Sequence, residues 1–276
     1  MSSNLLHVFQ NTPMGRETYF HALYFCEALD LGLTVYIPKE KHIDIKLGDE
    51  TVRISLDASY LTAPESAATH ASELAAARGV DLTLLDQHAP SQSDNPGAPE
   101  AFACMTCPRA VNDLAAKPGL GFIGAKVRQI INAAHFPVLV TSPVYKDWKN
   151  ITVLYGGSAN SIDALRLGLD IARQTGMPLN MLTHLEETRE FYQNTLEAAE
   201  LTSAVNQSVA DWQQFENGKF EDHLYAVPHD SLVLAGAYGH GIIKDLLFGS
   251  KLEKIQETLT NNILIVGPQA QARVTH

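Results

Sequence analysis

The feature that most constrains the fold of this chain is an internal repeat. The segment GAKVRQIINAAHFPVLVTSP, which starts at Gly124, aligns without a gap with GSKLEKIQETLTNNILIVGP, which starts at Gly249. The offset is 249 − 124 = 125 residues, and it places Leu139 opposite Leu264, with apolar residues at matching positions throughout. A chain of 276 residues is long enough for two ordinary domains. The repeat therefore predicts a tandem duplication.

The two halves also open with the same order of elements. Residues 4–38 and residues 150–185 each predict a strand, a loop, a helix and a second strand. In the second opening, Ser158 or Asn160 is a candidate helix cap and Gly176 a candidate helix end. Apolar residues recur between them at helical spacing: Ile162, Leu165, Leu169 and Ala172. A β-α-β unit implies parallel strands with a right-handed crossover, so we expect a five-stranded, mainly parallel sheet flanked by helices in each half.

The middle parts of the two halves have diverged. Residues 42–57 alternate in polarity about Gly48 and Asp49, which predicts a β-hairpin that only the first half contains. In the second half we predict a long helix from about Glu186 to Val209, followed by a strand with the sequence DWQQFE.

The boundary between the halves is expected between residues 146 and 150. This division gives one domain over residues 1–146 and a second over residues 150–276. The final strand of each half, FPVLV or NILIV, is apolar, and an exposed apolar strand edge promotes aggregation. We therefore expect the two domains to cover each other as an intramolecular pseudo-dimer, and a homodimer of the whole chain is a further possibility.

A set of glycines near the C-terminus suggests a nucleotide site. The apolar run 232–235 is followed by Gly236, Gly239, Gly249 and Ser250, with the spacing G-x2-G-x9-G-S. A glycine directly after a parallel strand lets a ligand approach the main chain where a Cβ atom would collide. Gly249 and Ser250 open a predicted helix, whose free N–H groups and positive dipole end suit a phosphate.

Two better-known nucleotide motifs do not fit these glycines. A Walker A loop requires Gly-Lys-Ser/Thr, whereas the order here is Gly249-Ser250-Lys251. The dinucleotide fingerprint G-x-G-x-x-G fails as well, because the glycines between residues 236 and 241 run G-x-x-G-x-G. The alternative without any ligand is that the glycines only shape turns and a helix start.

The glycine spacing and its flanking elements resemble the universal stress protein family, whose domains bind ATP at G-x2-G-x9-G-(S/T), between the fourth strand and the last helix. The resemblance implies two tandem Rossmann-like domains of the adenine nucleotide alpha hydrolase-like type. It implies ATP or another adenine nucleotide as ligand, with Mg²⁺ accompanying ATP. It also implies a stress-response regulator rather than an enzyme, with weak ATP hydrolysis at most.

The resemblance assigns ligand contacts to particular residues of the second half. Gly236 and Gly239 would line the ribose and phosphates, while Gly249 and Ser250 would bind the outer phosphates. Thr183, at the end of the second strand of this half, would meet the adenine through backbone groups. Two loop residues either contact phosphates or are simply exposed to solvent: Tyr238 and His240.

One position departs from the family pattern. An aspartate usually ends the first strand and fixes the adenosine, but Gly156 takes its place in the run Tyr155-Gly156-Gly157-Ser158. Losing a charge-assisted hydrogen bond costs ~1.5–3 kcal/mol, or about 10 to 100-fold in affinity, unless Asn160 or Asp163 compensates. Loss of nucleotide binding, with function through protein contacts, is therefore the alternative. An enzyme of similar fold is a third hypothesis, disfavoured because the sequence lacks a recognisable catalytic base or nucleophile.

The first half lacks the features of a ligand site. Where the second half has its first two glycines, the first half has Cys107-Pro108-Arg109-Ala110, and Ala125 replaces Ser250. Proline has no N–H to donate, and we expect the side chains of Cys107 and Arg109 to fill the ligand's space. The sequence therefore predicts at most one nucleotide per chain.

The three cysteines are expected to be structural. Cys104 and Cys107 form a C-x2-C pair, but a zinc site would need two more ligands, and no second paired motif is present. In the predicted strand AFACMTCP the two side chains would point to opposite faces. We therefore predict neither a metal nor a disulfide, and an odd, low cysteine count fits a reducing compartment.

Composition and charge exclude other classes of function. The chain is 45% hydrophobic and has a net charge of −11, which disfavours binding to a nucleic-acid backbone. The sequence contains no apolar run of membrane-spanning length, and its first residues do not resemble a signal peptide. We therefore expect a cytoplasmic protein with neither nucleic acid nor membrane as partner.

Overall fold

The first half of the chain builds one side of a large sheet and a separate hairpin. The computed structural model describes residues 4–9, 13–37, 42–47, 50–55, 64–85, 102–109, 124–237 and 259–270. The strands of the first half are β1 (Asn4–Val8), β2 (Gly32–Tyr36), β3 (His42–Leu47), β4 (Glu50–Ser55), β5 (Leu82–Leu84), β6 (Cys104–Pro108) and β7 (Val138–Thr141). Its helices are α1 (Pro13–Leu29), α2 (Pro64–Ala77) and α3 (Ala125–Ala133).

The second half repeats the alternation of strands and helices without a hairpin in its described part. Its strands are β8 (Asn150–Leu154), β9 (Leu179–His184), β10 (Val209–Phe215), β11 (Ser231–Gly236) and β12 (Ile263–Val266). Its helices are α4 (Ala159–Thr175), α5 (Arg189–Ala198), α6 (Thr202–Ser208) and α7 (Phe220–His223), the last continued by a 3₁₀ turn over Leu224–Ala226.

Each half contributes five adjacent strands to one ten-stranded sheet. From edge to edge its order is β10-β9-β8-β11-β12-β7-β6-β1-β2-β5. Without the hairpin, both halves therefore have the strand order 3-2-1-4-5. Within this ten-stranded sheet, all neighbouring strands of the same half are parallel. The predicted fold class, two tandem Rossmann-like units with mainly parallel sheets, is confirmed.

The halves meet through the antiparallel pair β7 and β12. Leu264 lies opposite Leu139, Ile263 opposite Val140, and Ile265 opposite Val138. Leu139 and Leu264 are also equivalent positions of the repeat, at the offset of 125 residues. The strand ladder is therefore centred on two residues that correspond to each other in the duplication, as in a pair related by a twofold axis.

The sheet buries an apolar core on each of its faces. On one face α1, α2, α4, α5 and α6 cover side chains that include Leu5 and Val153. On the other face α3, α7 and the β3–β4 hairpin cover side chains that include Leu6 and Val233. Because both faces are covered, the central strands have almost continuous apolar runs, as in Val138–Val140.

Local sequence signals place the ends of α4 as predicted. The Ser161 N–H donates a hydrogen bond to Ser158 Oγ at 3.3 Å, which caps the first turn. Gly176 ends the helix in the left-handed conformation with φ of +69°. The hairpin is also confirmed, since β3 and β4 pair in antiparallel register from His42–Ser55 to Leu47–Glu50.

The single long helix predicted from Glu186 to Val209 is wrong. The chain forms α5 and α6 instead, separated by Glu200, which has a positive φ of +59°. A left-handed residue cannot continue an α-helix, so the chain turns there. The predicted strand after it is present as β10, which begins two residues earlier than expected.

Polar contacts join the halves beside the β7–β12 ladder. Asn262, directly before β12, accepts a hydrogen bond from the Ser142 N–H at 2.7 Å and donates one to His21 Nδ1 at 2.9 Å. On the face covered by α1 and α4, the Gln174 side chain at the end of α4 donates a hydrogen bond to the Leu29 carbonyl at 2.6 Å. The junction therefore combines backbone pairing with side-chain hydrogen bonds.

Candidate functional site

The candidate site lies where the strand order of the second half reverses. Strand β8 lies between β9 and β11 in the sheet. The chain leaves β8 toward β9 and leaves β11 toward β12, so the connections after β8 and β11 lead away from each other. In open parallel sheets, ligands bind in the crevice outside the carboxyl ends of such strands. The described residues at this place are Tyr155–Asn160 and Gly236–Ala237.

Helix α4 begins at this crevice, directly after the loop that follows β8. Ser158 precedes the helix, and its carbonyl also accepts a hydrogen bond from Ser161 Oγ at 2.8 Å. The helix is 17 residues long, so its N-terminus has the positive partial charge of a full macrodipole. This end of α4 therefore favours a negatively charged group.

Gly236 brings β11 into direct contact with that helix end. A Cβ atom at this position would lie 2.5 Å from the Asn160 carbonyl carbon and 2.6 Å from the Ser161 nitrogen. Both neighbours are backbone atoms, so they cannot rotate away. Packing against α4 therefore requires a glycine at position 236. The sequence alone had suggested a different reason for this glycine, the close approach of a ligand.

The loop after β8 places its two glycines in different environments. Gly157 has a φ of +74°, and a Cβ atom there would lie 2.8 Å from the Phe191 ring. Gly156 is partly exposed, and its φ is not positive. A side chain at position 156 is therefore compatible with the backbone, whereas one at position 157 is not.

Aromatic side chains fill the α4 side of this strand end. Thr183 is fully buried, and its hydroxyl accepts a hydrogen bond from Trp212 Nε1 at 2.9 Å. The Tyr155 hydroxyl lies 2.6 Å from Thr195 Oγ1, and the Tyr155 ring meets those of Tyr192 and Trp212 edge to face. The side chain of Thr183 is thus used by the fold, which leaves only its backbone for the predicted adenine contact.

This aromatic cluster was not predicted from the sequence. The signal was present in Tyr155, which directly follows β8 and occupies the position before Gly156. The Tyr192 hydroxyl also accepts a hydrogen bond from the Glu186 N–H at 3.1 Å and so fixes the loop after β9.

The rest of the predicted site lies outside the described residues. This applies to five candidates: Tyr238, Gly239, His240, Gly249 and Ser250. The structure therefore brings together Gly156, Gly236 and the α4 N-terminus, and the contribution of the other glycines remains a prediction. Asp163, considered as a substitute for the missing aspartate, lies 3.7 Å from Arg166 in an ion pair on α4.

In the first half, Cys107 and Arg109 have roles that the sequence did not suggest. Cys107 is buried in the core, where desolvation raises the pKa of its thiol to about 12. Arg109 reaches into the second half and donates hydrogen bonds to the carbonyls of Leu259 at 2.8 Å and Asn261 at 2.7 Å. These two hydrogen bonds connect the segment before β12 to the end of β6.

All three cysteines are buried and free. Cys104 belongs to the core on the α1 face of the sheet and Cys107 to the core on the α3 face, as the strand geometry predicted. Burial raises the pKa of all three thiols. Within the described residues, no group of three or more histidine, cysteine, aspartate or glutamate side chains could hold a metal ion.

Solved structures of low sequence identity share this architecture. A universal stress protein from Archaeoglobus fulgidus DSM 4304 has a TM-score of 0.60 and 14% identity, covering 97% of this chain and 97% of that chain. A candidate universal stress protein from Pseudomonas aeruginosa UCBPP-PA14 has a TM-score of 0.61 and 11% identity, covering 97% and 94%. The cytoplasmic domain of a prokaryotic cation chloride cotransporter has a TM-score of 0.52 and 13% identity, covering 96% and 95%.

These comparisons define the class by fold. The chain has the tandem Rossmann-like fold that is found in universal stress proteins. No protein-family model and no curated protein sequence matches the chain. Among the described helices, none has the length and apolar character needed to cross a membrane.

Proposed function

We propose that this protein is a tandem universal stress protein that binds ATP or another adenine nucleotide in its second half and acts as a stress-response regulator. The observation that carries the proposal is the start of the 17-residue helix α4 directly after β8, beside the crevice between β8 and β11 where the strand order reverses. The same half carries the complete G-x2-G-x9-G-S spacing. When ATP is the ligand, Mg²⁺ accompanies its phosphates.

The domain arrangement belongs to the same proposal. We divide the chain into domains over residues 1–146 and 150–276, joined as a pseudo-dimer whose axis passes between Leu139 and Leu264. Three free, buried cysteines are consistent with a cytoplasmic location. A homodimer of the whole chain is compatible with this arrangement, and sedimentation of the intact protein would test it.

The alternative is a protein of this fold that has lost nucleotide binding and acts through protein contacts. Gly156 favours it, because the expected aspartate is absent from the end of β8.

The deciding experiment combines mass spectrometry with calorimetry. We expect the purified protein to retain an adenine nucleotide, and the nucleotide-free protein to bind one ATP per chain. Gly239→Val should abolish binding by blocking the phosphates, and Ser250→Ala should weaken it by ~0.5–1.5 kcal/mol through loss of one hydrogen bond. The control is Ala125→Ser, which restores the hydroxyl at the matching place of the first half and should create no second site.

A further substitution separates the two functions. Gly156→Asp supplies the missing carboxylate at a position whose backbone accepts a side chain. If the absent charge weakens the site, this variant should bind ATP about 10 to 100-fold more tightly. If neither the parent chain nor Gly156→Asp binds an adenine nucleotide, the alternative function holds.

A further inference from the structure

A partly exposed aromatic ring lies against the loop that follows β8. Phe191 belongs to the first turn of α5 and is 38% exposed. A Cβ atom at Gly157 would lie 2.8 Å from Phe191 Cε1, so the ring lies directly against the backbone of this loop. The ring also meets that of Tyr192 edge to face, with centroids 5.3 Å apart and an interplanar angle of 87°. Neither contact covers the whole ring, so part of its surface is available to a ligand.

The neighbours of Phe191 hold it beside the end of β9. The Phe191 N–H donates a hydrogen bond to Thr188 Oγ1 at 3.3 Å, which caps the first turn of α5. The next residue, Tyr192, is buried, and its hydroxyl donates to the His184 carbonyl at 3.4 Å. Because His184 is the last residue of β9, these contacts tie the start of α5 to the carboxyl edge of the sheet.

The aromatic ring and the start of α4 follow one another along this edge. The strand order β9-β8-β11 places the end of β9 on one side of the loop after β8 and Gly236 on the other side. Phe191 lies against Gly157 of this loop, whereas Gly236 lies against the backbone of Asn160 and Ser161 in the first turn of α4. A ligand that spans the loop would therefore meet an aromatic ring at one end and the positive end of a helix at the other.

The charges around the ring favour one orientation of a nucleotide. The residues directly before Phe191 line a groove of about 420 Å³, whose charged residues are Glu186, Glu187, Arg189, Glu190 and Glu216. Arg189 lies 2.8 Å from Glu216 in an ion pair, and the excess of carboxylates repels phosphates. The start of α4 attracts phosphates instead. A neutral, flat base therefore fits on the Phe191 side, with the phosphates toward α4.

We propose that Phe191 stacks on the base of the bound nucleotide and gives the site a preference for purines. The inference rests on the proposed function and assigns the base to a side chain that the sequence did not single out. Stacking needs only the flat face of a base, and a fused purine ring offers more area for it than a pyrimidine ring. The stack thus contributes affinity at a site where Gly156 supplies no carboxylate.

The test is calorimetric titration of the nucleotide-free full chain with ATP and with CTP. Phe191→Ala should bind ATP about 5 to 150-fold more weakly than the parent chain, the range expected for loss of one base–aromatic stack. The loss for CTP should be smaller, so the preference for ATP over CTP should decrease. Phe191→Trp keeps an aromatic face and should retain both the affinity for ATP and the preference.

A matched control is Tyr225→Ala, which removes another exposed aromatic side chain and should bind ATP as the parent chain does. Circular dichroism verifies that each variant is folded. If the parent chain binds ATP and Phe191→Ala binds it equally well, or loses ATP and CTP to the same degree, the stack is excluded and the proposed function stands. If neither the parent chain nor Gly156→Asp binds a nucleotide, the proposed function fails and the stack with it.

Discussion

At the scale of single residues, Gly236 and Arg109 illustrate how far the sequence leads. The glycine spacing singled out Gly236 in the sequence, but it could not show that the neighbour of Gly236 is the backbone of α4. A missing side chain is visible in a sequence, whereas the atoms that exclude it are not. Arg109 likewise marked the first half as different, and only the structure shows its hydrogen bonds to the carbonyls of Leu259 and Asn261.

Gly236→Ala should destabilise the fold itself. The added methyl group would overlap backbone atoms of α4, and such overpacking costs ~1–3 kcal/mol. Urea unfolding measures the change in the free energy of unfolding. The control is Gln193→Ala, at an exposed position in α5, which adds no atom against the backbone and should change the free energy of unfolding by less than ~0.5 kcal/mol. An unchanged stability of Gly236→Ala would disprove the packing role.

Two buried histidines should make the protein less stable in mild acid. Burial lowers the pKa of His7 to about 3 and that of His21 to about 4, although the Val144 carbonyl and Glu17 partly oppose the shift at His21. The unfolded chain therefore takes up protons below pH ~6.5 that the folded chain does not. Stability falls as the pH decreases from that value, by ~2 kcal/mol for each histidine at pH 5.

The acid effect is measurable by unfolding in urea at pH 7 and pH 5. His7→Leu should remove about half of the loss due to these two groups, because only the shifted pKa of His21 remains. His229→Ala, which changes an exposed histidine, should keep the full loss. Equal stability of the parent chain at both pH values would contradict the expected burial of both rings.

At the scale of elements, the correct predictions rest on local chemistry. Ser158 and Gly176 mark the ends of α4 through a side-chain acceptor and a left-handed glycine, and both signals are readable in the sequence. The break between α5 and α6 has no such signal. Glu200 is an ordinary helix former, and its positive φ accompanies a hydrogen bond from the Leu201 N–H to the Leu196 carbonyl at 2.9 Å that ends α5. The sequence therefore predicted one helix where the fold contains two.

Glu200→Gly should stabilise the protein by about 1 kcal/mol. Glycine adopts a positive φ without the steric cost that glutamate bears at φ of +59°. The control is Gln193→Gly, at an exposed position in the middle of α5, which should instead destabilise by about 1 kcal/mol. Thermal and urea unfolding of both variants test the opposite signs, and a loss of stability in Glu200→Gly would refute the expectation.

At the scale of the whole molecule, the pairing of β7 with β12 explains why the halves stay together. The strands are almost fully buried, and each would present an unpaired apolar edge without the other. Leu139 and Leu264 are equivalent positions of the repeat and lie opposite each other in the pair. The two strands therefore pair with matching apolar side chains.

A separated second half should therefore dimerise. We expect a chain of residues 150–276 to associate through β12, with Leu264 opposite Leu264 of a second copy, because this replaces the lost pairing with β7. Sedimentation velocity would detect the dimer, and Leu264→Arg should shift it to monomer by placing a charge at the centre of the ladder. A monomeric fragment with intact secondary structure would exclude this role for β12.

The single antiparallel step in the sheet also decides which way the halves face. Because the five strands that the first half contributes to the large sheet run opposite to those of the second half, their carboxyl ends lie along opposite rims of this sheet. The crevice beside β8 and β11 opens on one rim, and the corresponding place beside β1 and β6 opens on the other. A molecule bound at the rim of the second half would therefore leave the rim of the first half uncovered.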